Sequence, residues 1–133
     1  MDNPLRWRQR FENFERSFLL LDEVIHRDLA SFSQLEKEGI VQRFEVLIEL
    51  SWKTLKDYLE NEGYDKVKTG KYAIRQAFQD EIITEAESWM KALEIRNITS
   101  HTYNEVVLQK TLLFIKTEFY PIVRDLYHRL KKL

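Results

Sequence analysis

The stretch Leu93–Glu105 reads LEIRNITSHTYNE and carries the densest set of side chains able to do chemistry. An apolar stripe runs through Trp89 and Leu93. Continued by three and four residues, it arrives at Arg96 and Asn97, so two strongly polar side chains take positions where a core face should go on. His101 follows five residues after Arg96, and Tyr103 two residues later. Each group has a use around a phosphodiester. A guanidinium is a planar fork of donors that matches phosphate oxygens. An imidazole titrates near neutrality and can move a proton to or from a hydroxyl. Backbone amides opening a helix at Thr102–Asn104 would favour an anion. The plain alternative is that Arg96 and Asn97 suit a helix C-terminus, where the dipole and capping favour them, and that His101 is a turn residue. Spacing alone leaves both open.

A second set is Glu45, Glu49 and Lys53, spaced i, i+4, i+8 on one helix face. Glu49 and Lys53 make a favourable helical ion pair. The set is either a solvated charged face or a group that orients Arg96 or His101 from a neighbouring helix. Lys66, Lys68 and Lys71 crowd a short loop, which is either simply solvated or able to touch a phosphate. His26 and His128 stand among charged residues and receive no role. The basic tail Arg129, Lys131, Lys132 complements a helix C-terminus.

Other chemistries lack their residues. There is no Cys, so there is no thiol nucleophile, disulfide or Cys-ligated metal. No His-x-x-x-His, P-loop or nucleophile elbow occurs. A nucleotidyltransferase holds its metal with a Gly-Ser turn and an Asp-x-Asp pair on a sheet, and none of these is present. Any activity is expected to need no metal and no cofactor. Absence of Cys fits a reducing compartment, and a cytoplasmic location is the expectation. Twenty-one Lys and Arg against 22 Asp and Glu leave a net charge of −1, so contact with phosphates must be local.

The elements that must position these residues are helices. The chain has 133 residues, which suits one domain spanning 1–133. Three Gly and two Pro are too few turns for a sandwich or barrel. No apolar run approaches 18 residues, so neither a membrane span nor a signal peptide is expected. Trp7, Phe11, Phe14, Phe18, Leu21, Ile25, Leu29 and Phe32 form one stripe at spacings of three and four, after an Asn3-Pro4 opening. Ser33 with Glu36 is a capping box before a second stripe through Val41, Phe44, Ile48, Trp52, Leu55 and Leu59, with Gly63 as its stop. A loop over 63–71 and a short helix over Tyr72–Gln79 follow. Thr84 with Glu87 and Thr102 with Glu105 predict capping boxes for two more helices, with Tyr103 inside the last one. That helix carries Leu108, Leu112, Ile115, Phe119, Ile122, Leu126 and Leu130, and Pro121 should kink or break it. The expected fold class is all-α, an antiparallel up-and-down bundle of four or five helices.

Leu93–Asn104 resembles the signature of the nucleotidyltransferase substrate-binding protein family, the HepT-like members of the HEPN superfamily. Their hallmark is Arg-x4–6-His, here Arg96-Asn97-Ile98-Thr99-Ser100-His101 followed by Thr102-Tyr103. The likeness runs nearly the whole chain. Gly39–Glu45 and Glu49–Leu59 are similar to the family's second helix, and Ile74–Phe78 with Trp89 to its middle. The resemblance implies a helical bundle, usually a homodimer, that partners a minimal nucleotidyltransferase in a toxin–antitoxin-type pair. It implies one of two roles. The first is a subunit that binds nucleotide or RNA substrate at an Arg-x4-His cleft, with Asn97 as a positioning residue; the charged face Glu45, Glu49 and Lys53, read from its spacing, is the further substrate-binding expectation. The second is a metal-independent ribonuclease with Arg96 and His101 as the cleavage pair, neutralised when AMP is attached to Tyr103.

Overall fold

The computed structural model describes residues 4–102 and 104–133. It is 82% helical and, among the described residues, has no strand, which is the all-α class expected. Helix α1 spans Pro4–Ile25. Trp7, Phe11, Phe14, Phe18, Leu21 and Ile25 are buried along one side of it. The helix ends seven residues before the stripe does. Asp28 accepts a hydrogen bond from the Ala30 amide and opens a 3₁₀ turn at Leu29–Ser31, a local side-chain bond that competes with helix continuation. Phe32 stays buried beyond that break.

Helix α2 spans Gln34–Asn61 and begins with the expected box: Ser33 accepts from the Glu36 amide, and Glu36 accepts from the Ser33 amide. Its stop is Gly63, whose φ of 106° is the left-handed conformation glycine tolerates. Helix α3, Gly70–Gln79, starts two residues earlier than expected and is capped by Thr69, which accepts from the Tyr72 amide.

Both later capping boxes fail to form. Helix α4, Ala86–His101, has Glu85 at its cap position with no side-chain bond, so Thr84 does not cap it. Helix α5, Glu105–Phe114, is capped by Asn104, which accepts from the Val107 amide. Thr102 instead closes α4, donating its backbone N–H to Ile98 O. Asn takes over because it caps helices at least as well as Thr and lies two residues nearer the start. The expectation for Tyr103 lies outside the described residues.

The break near Pro121 is a π-helical segment, Ile115–Phe119, leading into α6, Tyr120–Lys131. Proline has no N–H and its ring crowds the preceding turn, and the wider turn absorbs both. The Tyr120 N–H accordingly reaches back five residues to Ile115 O. Counting 105–131 as one rod, the described residues form five helices.

Helix α2 is the central post, packed along α1 and against α3, α4 and α5. Phe44 meets Phe119 edge-on at 4.8 Å, and Trp89 meets the same ring at 6.0 Å. Aromatic rings in such T-shaped pairs add to the stabilisation from burial alone. Helix α6 is clasped to α1 by two phenols. Tyr120 donates to Asp22 and Tyr127 donates to Glu15 at 2.6 Å, each holding its carboxylate below the usual range.

Candidate functional site

Arg96 leaves α4 toward α2. Its Nε is 3.2 Å from Glu49 Oε1, and an Nη donates to Ser100 Oγ at 2.9 Å. The Nε is buried and off-line for a hydrogen bond, so the Glu49 contact is one of charge. Glu49 is shared: its other oxygen lies 3.5 Å from Lys53 Nζ on the next turn. One turn earlier, Glu45 accepts a 2.6 Å hydrogen bond from the Thr99 hydroxyl of α4. The i, i+4, i+8 face of α2 is therefore not merely solvated. It meets α4 at Arg96 and Thr99, and it holds the guanidinium in place.

Above this contact is an open hollow of about 380 Å³, lined by Arg10, Gln42, Glu45, Val46, Glu49, Leu50, Lys53 and Arg96. A neighbouring hollow of about 240 Å³ shares Gln42 and Glu45 and reaches Thr99 and Thr102. Arg10 was not singled out from the sequence. It crosses from α1, and its Nε donates to Asp57 Oδ2 at 2.9 Å. The Asp57 side chain is 1% exposed and has Lys56 and Arg6 near its second oxygen at 3.7 and 3.8 Å. Nothing in the spacing separates Arg10 from Arg6, Arg8 or Arg16. Burial of Asp57 selects it, and Asp57 lies off the apolar stripe.

His101 and Asn97 do not line this hollow. Five residues of α-helix turn a side chain about 140° away, so His101 leaves α4 on another side from Arg96. Asn97 and His101 are four apart and share that side. Both are exposed, and the His101 ring makes no hydrogen bond or ion pair with described residues. One chain thus brings Arg96, Glu45, Glu49 and Lys53 together and leaves Asn97 and His101 apart from them. Tyr103 lies outside the described residues.

The hollow gathers three cations, Arg10, Lys53 and Arg96; Glu49 lies between Lys53 and Arg96, Glu45 accepts from Thr99, and Arg10 answers the buried Asp57. Such a site can take the oxygens of a phosphate, which bind guanidinium and ammonium groups by charge-assisted hydrogen bonds. Among the described residues, no group of three His, Asp or Glu could hold a metal ion, and no helix is long and apolar enough to cross a membrane.

Fold and site together define a class: an all-α bundle whose conspicuous polar feature is an arginine fixed by a carboxylate of the central helix. The chain belongs to the family described as nucleotidyltransferase substrate binding protein like, whose pattern matches residues 9–132. It is 34% identical over 71 residues to the probable ribonuclease HepT of Haemophilus influenzae, an alignment that covers 50% of this chain and 49% of that one. The chain thus spans about half the length of that curated relative. A protein of Thermus thermophilus with a known crystal structure has the same fold, at a TM-score of 0.79 and 27% identity, covering 89% of this chain and 98% of that chain.

Proposed function

We propose that this chain is the helical partner subunit of a minimal nucleotidyltransferase, in a toxin–antitoxin-type pair, and that it holds the phosphate of a nucleotide or RNA substrate in the hollow over α2. The observation that carries this reading is Arg96, anchored through Glu49 and Ser100 beside Lys53 and Arg10. A pre-positioned guanidinium loses little freedom when a phosphate arrives. Asn97, on the adjacent side of α4, would position the substrate. Family membership supports the nucleotidyltransferase partner, which would supply the metal carboxylates this chain lacks.

The name of the Haemophilus relative favours a second reading, a metal-independent ribonuclease. The RNA 2′-oxygen would bond to phosphorus while the 5′-oxygen leaves. His101 would move the proton, and Arg96 would stabilise charge on the phosphorane. Since the two side chains leave α4 about 140° apart, a homodimer would complete such a site, with His101 of one copy meeting Arg96 of another. AMP attached to Tyr103 by the partner would then block it.

Incubating purified protein with RNA in EDTA, beside Arg96→Ala and His101→Ala, separates the readings. Cleavage by wild type that both substitutions abolish supports the ribonuclease. Binding without cleavage, weakened by Arg96→Ala, supports the substrate-binding subunit. A protein that neither binds nor cleaves refutes both.

A further inference from the structure

The loop after α2 and the whole of α3 contain no acidic residue from 66 to 79, in a chain whose 22 Asp and Glu outnumber its 21 Lys and Arg. Lys66, Lys68, Lys71 and Arg75 are all exposed, and their side chains make no ion pair or hydrogen bond with any described residue. The acids that bracket the run are largely engaged elsewhere. Glu60 accepts from the Val67 amide and pairs with Lys56, and Asp80 accepts from Tyr64 and Gln76. Asp65 is exposed at the loop's start.

Two aromatic side chains stand among these cations. Tyr72 is 45% and Phe78 49% exposed. The inner face of α3 is Ala73, Ile74 and Ala77, all buried. Helical spacing puts Arg75 on the outer face next to Lys71, Tyr72 and Phe78, which are four, three and three residues away. Cations that follow a phosphate backbone, with exposed rings on which bases stack, are the two parts of a single-strand binding surface.

The strip also adjoins the candidate hollow. Gly70 packs so tightly that a Cβ there would come within 3.3 Å of the Trp52 and Leu93 side chains. The start of α3 is therefore seated against Trp52, next to Lys53 in the chain, and Leu93, one turn before Arg96.

We infer that Lys66, Lys68, Lys71, Arg75, Tyr72 and Phe78 form a platform that binds single-stranded RNA and leads it toward the Arg96 hollow. This rests on the reading of that hollow as a phosphate site. An acidic protein surface would suit the four cations but gives no reason for two solvent-exposed rings between them.

The test is fluorescence anisotropy with a labelled 12-nucleotide single-stranded RNA, titrated at several salt concentrations. The combined Lys66→Gln, Lys68→Gln, Lys71→Gln, Arg75→Gln protein should bind at least about tenfold more weakly. Its log affinity against log salt should flatten by about 3, at roughly 0.7 per lost phosphate contact. Tyr72→Ala and Phe78→Ala keep every charge and should each weaken binding about fivefold or more. They keep the proposal testable if the fourfold variant loses helicity. Arg96→Ala should change the salt slope by less than 1. If the platform variants bind like wild type while Arg96→Ala loses affinity, the platform is wrong and the hollow stands. If an RNA duplex of the same sequence binds more tightly than the single strand, the platform is also wrong. If wild type binds no RNA, the platform falls together with the reading it rests on.

Discussion

Arg96 shows how one residue's role is set by its neighbours. At a helix end an arginine ordinarily complements the dipole and stays mobile. Here Glu49 and Ser100 hold it, and Lys53 shares Glu49. Glu49→Gln should therefore free the guanidinium without removing it. The expected result is substrate affinity that falls several-fold, less than for Arg96→Ala, with the melting temperature nearly unchanged because a part-exposed pair contributes little. The clasp residues give a pH prediction. The hydrogen bond from Tyr127 lowers the Glu15 pKa below its usual 4.5, against some desolvation, with Lys131 helping. A carboxylate with a depressed folded pKa contributes stability above its unfolded value and loses it as pH falls through the folded one. Tyr127→Phe should melt lower than wild type at pH 7, and the gap should narrow as pH drops below 4.5. A gap that is constant from pH 7 to pH 3 would contradict this.

At the scale of elements, the caps separate two outcomes of one sequence pattern. Ser33 and Asn104 cap their helices, whereas Thr84 does not. Ser33→Ala and Asn104→Ala should each cost about 1 kcal/mol in denaturant unfolding, and Thr84→Ala nearly nothing. The wide apolar stripes at spacings of three and four made the helices and the bundle class legible, because burial of Phe14, Phe44 and Phe119 follows from their period alone. The Ser33–Glu36 box and the Gly63 stop were legible for the same local reason. Other features were not. Capping is a competition among nearby Ser, Thr, Asn and Asp, and spacing does not rank Asn104 over Thr102. The π-helical turn needs Pro121 to be read together with its packing. Pairing of Glu49 with Arg96 was visible only as a possible orientation, and Arg10 not at all, because both depend on how helices cross.

On the scale of the whole molecule, the bundle places an open hollow on α2, between Arg10 of α1 and Arg96 of α4, and leaves His101 on a different side. In the proposed pair with a minimal nucleotidyltransferase, that arrangement makes the assembly part of the site. Co-expression with such a partner should add the mass of AMP to Tyr103, and an intact mass without any adduct would count against the modification. Mixing Arg96→Ala with His101→Ala protein should restore part of any ribonuclease activity if a dimer joins the two groups. Each heterodimer then rebuilds one complete pair.

The central claim is that Arg96, held over the second helix, receives a substrate phosphate. Equilibrium binding of a short single-stranded RNA to wild-type protein, Arg96→Ala and Arg96→Lys tests it most directly, with circular dichroism confirming intact helices. The account predicts affinity at least about tenfold lower for Arg96→Ala, and partial retention by Arg96→Lys, which keeps the charge and loses the fork. Equal affinity for all three proteins would contradict it.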